Sequence, residues 1–167
     1  MEQRSDALQR FLGGYARLAR LPPPQVRPLD LALLCGRVHG LLADARFRLE
    51  PGEPAHVLAD GDQIEQVLIN LVRNALEADP HGVVALRWRS EGGQAWIEIL
   101  DGGHGLPSSD SLFVPFFTTK PGGSGIGLVL SRQIVEAQGG RLSLRPRDDM
   151  RGTVADVVLP LCDATKA

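Results

Sequence analysis

The segment from Asp62 to Ala78 constrains this chain more than any other. Ile64, Val67, Leu68, Leu71, Val72 and Ala75 recur at i, i+3, i+4 spacing, which gathers them on one face of a helix. Asp60 or Asp62 supplies an N-cap, and Pro80 and Gly82 end the run. A helix with a single apolar stripe must bury it against a second layer. That layer is foretold by two β-rich segments, 83–90 and 95–100, joined by Glu91-Gly92-Gly93 in the manner of a hairpin. A short strand near 55–59 precedes the helix, and segments 141–146 and 153–160 read as two final strands.

Three further helices are expected. Leu8, Phe11, Leu12, Tyr15 and Leu18 place a short amphipathic helix over 6–20. A second begins after Asp30, an N-cap, and runs to about Ala43; a third starts near Gly127 and ends at the C-cap Gly139-Gly140. Pro22-Pro23-Pro24 with Pro28 makes a stiff connector and the natural domain boundary. Residues 101–125 hold nine glycines and prolines, too many for a regular element. The order of elements predicts one α/β layer architecture.

A chain of 167 residues suits one domain with a short appendage. Its 18 basic and 20 acidic residues leave a net charge of −2, with no electrostatic case for nucleic acid. No apolar run has the length of a spanning helix, and MEQRSD does not open a signal peptide. No membrane contact by this segment is expected. Cys35 and Cys162 stand far apart in no metal-like spacing, and Cys35, in an apolar run, reads as a buried reduced thiol. A reducing cytoplasm is the expected compartment, whether the chain stands alone or forms the cytoplasmic end of a longer membrane protein.

Three features carry chemistry. Asn70 and Asn74 lie four residues apart on the strongest helix, flanking its apolar face about one turn apart. A side-chain amide oxygen is a hard ligand able to complete a Mg²⁺ shell of water and phosphate oxygens. Asp101-Gly102-Gly103-His104-Gly105 follows a strand directly. A carboxylate there, beside a tight glycine turn, can receive an exocyclic amine, and the glycines admit a flat ring to the backbone. Gly123-Ser124-Gly125-Ile126-Gly127-Leu128 opens a helix, whose free N–H groups and dipole suit phosphates. The residues before it form a loop rather than a strand, against a dinucleotide fold, and no Gly-Lys-Ser/Thr follows, against a P-loop.

In this order the features resemble the catalytic domain of the GHKL ATPase superfamily, in its histidine kinase branch. Helix 62–78 resembles the N box, Asp101–Gly105 the first glycine box, Phe113–Lys120 the F box and Gly123–Leu128 the second glycine box. The likeness covers about 60–161, including Gly152-Thr153 and Leu159-Pro160. Upstream, Phe11–Pro22 is similar to the end of the second dimerisation helix of nitrogen-regulation-type kinases, and Thr118-Thr119-Lys120 points to the same subgroup. The resemblance implies an α+β fold of two layers, a mixed β-sheet covered on one face by helices. It also implies a parsing into 1–21 as a dimerisation-helix remnant, 22–28 as linker, 29–163 as catalytic domain and 164–167 as tail.

The roles follow residue by residue from that resemblance. Asn74 would be the Mg²⁺ ligand, and Asn70 would face the phosphates of ATP or ADP. Asp101 would accept the adenine amine, Gly103 and Gly105 would shape the base pocket, and Thr153 would support it. Thr118, Lys120, Gly123, Ser124, Gly125, Ile126, Gly127 and Leu128 would line the phosphate side, with Asn70 and Lys120 as the catalytic pair. Residues 106–124 would form a lid over ATP. Ala155 departs from the pattern, since many relatives carry an aromatic there.

Such kinases move the γ-phosphoryl group to a histidine on the first dimerisation helix, beside an acidic residue. His39, His56, His81 and His104 lack that context. The expected partners are therefore a dimerisation domain supplying the histidine and a response regulator. Hydrolysing GHKL branches of the mismatch-repair, chaperone or gyrase kind carry a glutamate where this chain has Asn70, so the base that activates water is missing. The alternative is a non-catalytic or serine-directed GHKL regulator, against which the upstream helix argues.

Overall fold

The computed structural model describes residues 21–105 and 127–163, which form seven strands and three helices. In chain order these are β1 (Arg27–Asp30), α1 (Leu31–Leu41), β2 (Phe47–Glu50), β3 (His56–Ala59), α2 (Gly61–Ala78), β4 (Val84–Glu91), β5 (Gln94–Asp101), α3 (Gly127–Ala137), β6 (Arg141–Pro146) and β7 (Thr153–Cys162). The helix expected over 6–20 lies outside the described residues. Among the described residues, no helix is long and apolar enough to cross a membrane.

The strands join in one mixed sheet of order β1-β3-β7-β5-β4-β2, with β6 also paired to β7. Only β2 and β4 run parallel among the recorded pairs. Long β7 pairs β5 along one edge and, along the other, β6 and then β3. The β4–β5 hairpin turns on Gly92 and Gly93, both at positive φ (59° and 76°), the geometry of a twist-compatible two-residue turn.

Alternation along the strands sends Leu86, Trp88, Ile97, Ile99, Val157 and Leu159 into a core with Ile64, Val67, Leu68 and Leu71 of α2. All three helices lie on this face, giving the two-layer α+β sandwich that the apolar stripe of α2 requires. Ala155 is buried on the same face. Cys35 is buried among the α1 core residues, and burial pushes its thiol up to about 12, so it stays an unreactive thiol.

Helix ends obey local chemistry. Asp30 caps α1 by accepting from the Ala32 amide (2.9 Å), and Asp60 caps α2 by accepting from Asp62 (3.1 Å) and Gln63 (3.2 Å). At the far end of α2, Arg46 donates to the Leu76 and Asp79 carbonyls, which lack helical partners. After α3, Gly140 donates to the Val135 carbonyl (3.0 Å) and Gly139, at φ 79°, to that of Glu136 (3.1 Å), a Schellman cap.

Two strands escape sequence reading. The spacing places Arg27 and Pro28 in or beside a connector, yet they form β1 with Leu29 and Asp30. Among the described residues β1 pairs only β3, and at a sheet edge a proline costs no interior ladder bond. At the opposite edge, β2 has four residues, too few to display a period.

Candidate functional site

Asp101 ends β5 on the helix-facing side, paired with Thr153 of β7, and is only 7% exposed. Its carboxylate accepts from the Gly103 amide (2.9 Å), which folds the chain back in a tight turn. Burial raises the carboxyl above the ordinary aspartate range. Backbone N–H groups of Gly103 and Thr153 pull it back, while the negative charge of Asp79 adds to the rise. The result is a buried acceptor on a rigid turn.

That turn is seated on the end of α2. A Cβ on Gly103 would stand 2.6 Å from the Ala78 carbonyl oxygen, so only glycine lets the two approach. Gly152, at φ 138°, likewise leaves no room: a Cβ would meet the Asp101 carbonyl at 1.9 Å. Arg147 donates to that same carbonyl (3.3 Å). Gly105 takes φ 84°, and His104 is exposed, with Nδ1 2.9 Å from an Arg151 guanidinium nitrogen.

Asn70 and Asn74 both lie half-buried on α2, at the rim of its apolar face as the helical period predicts. Asn70 Nδ2 donates to Ser131 Oγ on α3 (3.2 Å), and Ser131 is 3% exposed. The first residue of α3, Gly127, presses on the same amide: a Cβ there would lie 3.0 Å from Asn70 Oδ1. The structure thus brings Asn70 against Gly127, the first residue of α3; the first turn of a helix has N–H groups without intrahelical partners and carries partial positive charge. Leu128 packs against the core beside it. Of the sequence-predicted residues, Thr118, Lys120, Gly123, Ser124, Gly125 and Ile126 lie outside the described residues.

Ser131, Asp79 and Arg147 escape sequence reasoning. A signal for Ser131 exists: it sits four residues after Gly127 and three before Ile134, a polar side chain in the apolar phase of α3.

A buried acceptor at the end of β5 and a glycine-started helix against a helix bearing two asparagines thus share one face of an α+β domain. The chain belongs to the family of histidine kinase-, DNA gyrase B- and HSP90-like ATPases, whose model matches residues 59–163. It is 45% identical over 103 residues to the sensor protein FixL of Bradyrhizobium diazoefficiens, a match covering 58% of this chain and 20% of that protein. Against the sensor histidine kinase ZraS of Escherichia coli K12 it is 30% identical over 172 residues, covering 96% of this chain and 37% of ZraS. The chain thus spans less than two-fifths of the length of either relative. Among solved structures, a mycobacterial sensor histidine kinase, MprB, shares the fold with a TM-score of 0.70 and 28% identity, over 81% of this chain and 97% of that one.

Proposed function

We propose that this chain is the ATP-binding catalytic domain of a two-component sensor histidine kinase. The observation that carries the reading is the meeting of Asn70 with Gly127, which sets a neutral amide against a helix N-terminus on the face that also bears Asp101. Asp101 accepts the exocyclic amine of adenine, the turn through Gly103 and Gly105 admits the ring, and Thr153 holds the carboxylate. Asn70 faces the phosphates together with Thr118, Lys120, Gly123, Ser124, Gly125, Ile126, Gly127 and Leu128.

Among the described residues, no group of three His, Cys, Asp or Glu side chains could hold a metal ion by itself. An amide oxygen suits a Mg²⁺ ion whose other ligands are water and phosphate oxygens, and Asn74 is the residue for that position. When bound, the ion neutralises charge on the phosphates. The protein's own part is positioning: Asn70 and Lys120 align the γ-phosphorus, whose bond to the β,γ-bridging oxygen breaks as one forms to an imidazole nitrogen. That imidazole belongs to a dimerisation domain, to whose second helix residues 1–21 belong, with 22–28 the linker, 29–163 the catalytic domain and 164–167 a tail. The nitrogen-regulation subgroup, a response regulator as the next acceptor and a cytoplasmic location complete the reading.

Titration calorimetry of the chain with ATP and a non-hydrolysable analogue tests it. Binding strengthened by Mg²⁺, without phosphate release or self-labelling, is the expected result. Absence of binding, or steady phosphate release, would overturn it. Added dimerisation domains of related kinases should become labelled by an acid-labile, alkali-stable phosphate; label on serine would favour the serine-directed alternative.

A further inference from the structure

The α2 and α3 segments are linked by two polar contacts, one made by Asn70 at the proposed phosphate site and one a full two turns away from it. Gln138 Nε2 donates to Gln63 Oε1 (3.0 Å), and Asn70 Nδ2 donates to Ser131 Oγ (3.2 Å). Gln63, Gln138 and Ser131 are 8%, 7% and 3% exposed; the Gln138–Gln63 link is sheltered from water, and the Asn70–Ser131 link is part-buried. Seven residues separate Gln63 from Asn70 on α2, and seven separate Ser131 on α3 from Gln138, the first residue after it. The helices therefore run antiparallel with both links in one register. One turn before Ser131, Gly127 also lies against Asn70, where an added Cβ would stand 3.0 Å from Asn70 Oδ1.

The amide chain continues beyond the two helices. Gln138 Oε1 accepts from the Asp60 amide (2.7 Å), and Gln63 Nε2 donates to the Pro22 carbonyl (3.0 Å). Asp60 Oδ2 accepts from the Gln25 amide (2.8 Å). A sheltered amide that slid by one turn would lose its partner inside the protein, where water cannot replace it. The links thus resist sliding in a way that apolar contacts between Leu or Val side chains do not.

We propose that Gln63, Gln138 and Ser131 are positioning residues: they set the register of α3 against α2, and so the placement of the α3 N-terminus against Asn70. Through the Pro22 carbonyl the same amides tie that register to the chain entering the domain. The inference rests on the nucleotide reading above, with the phosphates at the Gly127 end and the base at Asp101. Changes in the register act on the phosphate end and leave the base end alone.

The test measures two ligands on the full chain: adenylyl imidodiphosphate with Mg²⁺, and adenosine. Gln138→Met, which keeps volume and removes the amide, should weaken the Mg²⁺-analogue roughly 10-fold, the scale seen when groups orienting metal ligands are removed. Adenosine affinity should stay within about twofold, as for a distant site. Ser131→Ala should act in the same direction, with Ser131→Thr restoring binding because it keeps the hydroxyl. Should Gln138→Met fail to fold, the Ser131 pair decides. Amide hydrogen exchange reads the connector: the Mg²⁺-analogue should slow exchange at Gln25 in the wild type and not in Gln63→Met, by reciprocity of coupling.

Equal loss of both ligands would mark a merely structural role and overturn the proposal, as would unchanged Mg²⁺-analogue binding in Gln138→Met. Exchange at Gln25 indifferent to the ligand would overturn the tie to the connector. A wild type that does not bind the Mg²⁺-analogue would instead overturn the nucleotide reading, and the register role with it.

Discussion

Beneath the helices, β4, β5 and β7 carry Leu86, Ile97, Ile99, Val157 and Leu159; on the opposite face the same strands carry Arg87, Arg89, Trp96, Glu98 and Asp156. Both faces bury side chains, by different means. The covered face uses a second layer. On the open face Glu98 is only 2% exposed because three guanidiniums close over it: Arg87 (3.2 Å), Arg89 (2.9 Å) and Arg145 (3.1 Å). Arg145 also holds Asp156 (2.7 Å), and Trp96 lies between Arg89 and Arg141, at 4.8 and 5.6 Å from its ring. Long side chains can thus roof a sheet with their stems while keeping their charged ends in water.

The covered face should be the more costly to damage. Leu68→Ala, at a fully buried position of α2, should lose about 2–5 kcal/mol by denaturant titration. A loss below about 1 kcal/mol would mean that the helical layer relaxes freely around a cavity. Next comes the polar exception on that face. Asp101→Asn should weaken ATP by about 1.5–3 kcal/mol, roughly 10- to 150-fold, as a charged hydrogen-bond acceptor is lost.

Stability should respond in the other direction. Because the folded-state pKa of Asp101 is raised, its contribution is fully present below the unfolded value and is lost as pH rises through the folded one. Asp101→Asn should therefore match or exceed the wild type in melting temperature at neutral pH, and that advantage should shrink as pH falls below the ordinary aspartate range. A variant less stable at neutral pH would contradict this sign.

On the open face, Glu98→Gln should cost about 1–2 kcal/mol. That is less than a buried ion pair could command, because its arginines are 37–46% exposed and solvent-screened. The loss should narrow in 1 M salt, where the wild-type network is itself weakened. The smallest effect belongs to the exposed i,i+4 pair Arg132–Glu136 on α3, where Arg132→Ala should cost about 0.3–0.5 kcal/mol. Should Glu98→Gln prove as mild, the open face would be no better sealed than an ordinary surface.

Sequence patterns reveal the covered face far better than the open one. The stripe from Ile64 to Ala75 fixes the phase of α2, Gly92-Gly93 marks the hairpin and Gly139-Gly140 the end of α3, because each signal is local. The same holds for the placement of Asp101 and Asn70, which follows from where a strand ends and how a helix turns. Cross-element partners are another matter. Nothing near Gln63 in sequence indicates Gln138, and nothing beside Glu98 indicates Arg145, since both pairings depend on how distant segments fold together. Edge strands β1 and β2 are missed because four residues give hydrophobic alternation no room to declare itself.

β7 pairs with β5, β6 and β3, so the middle of the sheet is supplied by the last strand in chain order. During synthesis, β1 with β3 and β4 with β5 can form hairpin-like halves early, but they remain two halves until Thr153–Cys162 has emerged. A nascent chain must therefore shelter two open sheet edges until nearly the whole domain has left the ribosome, a period when chaperones matter most. Thr153 arrives with that same strand, so the partner of Asp101 and the closure of the sheet come together. A half-made chain therefore lacks the strand that pairs with Asp101.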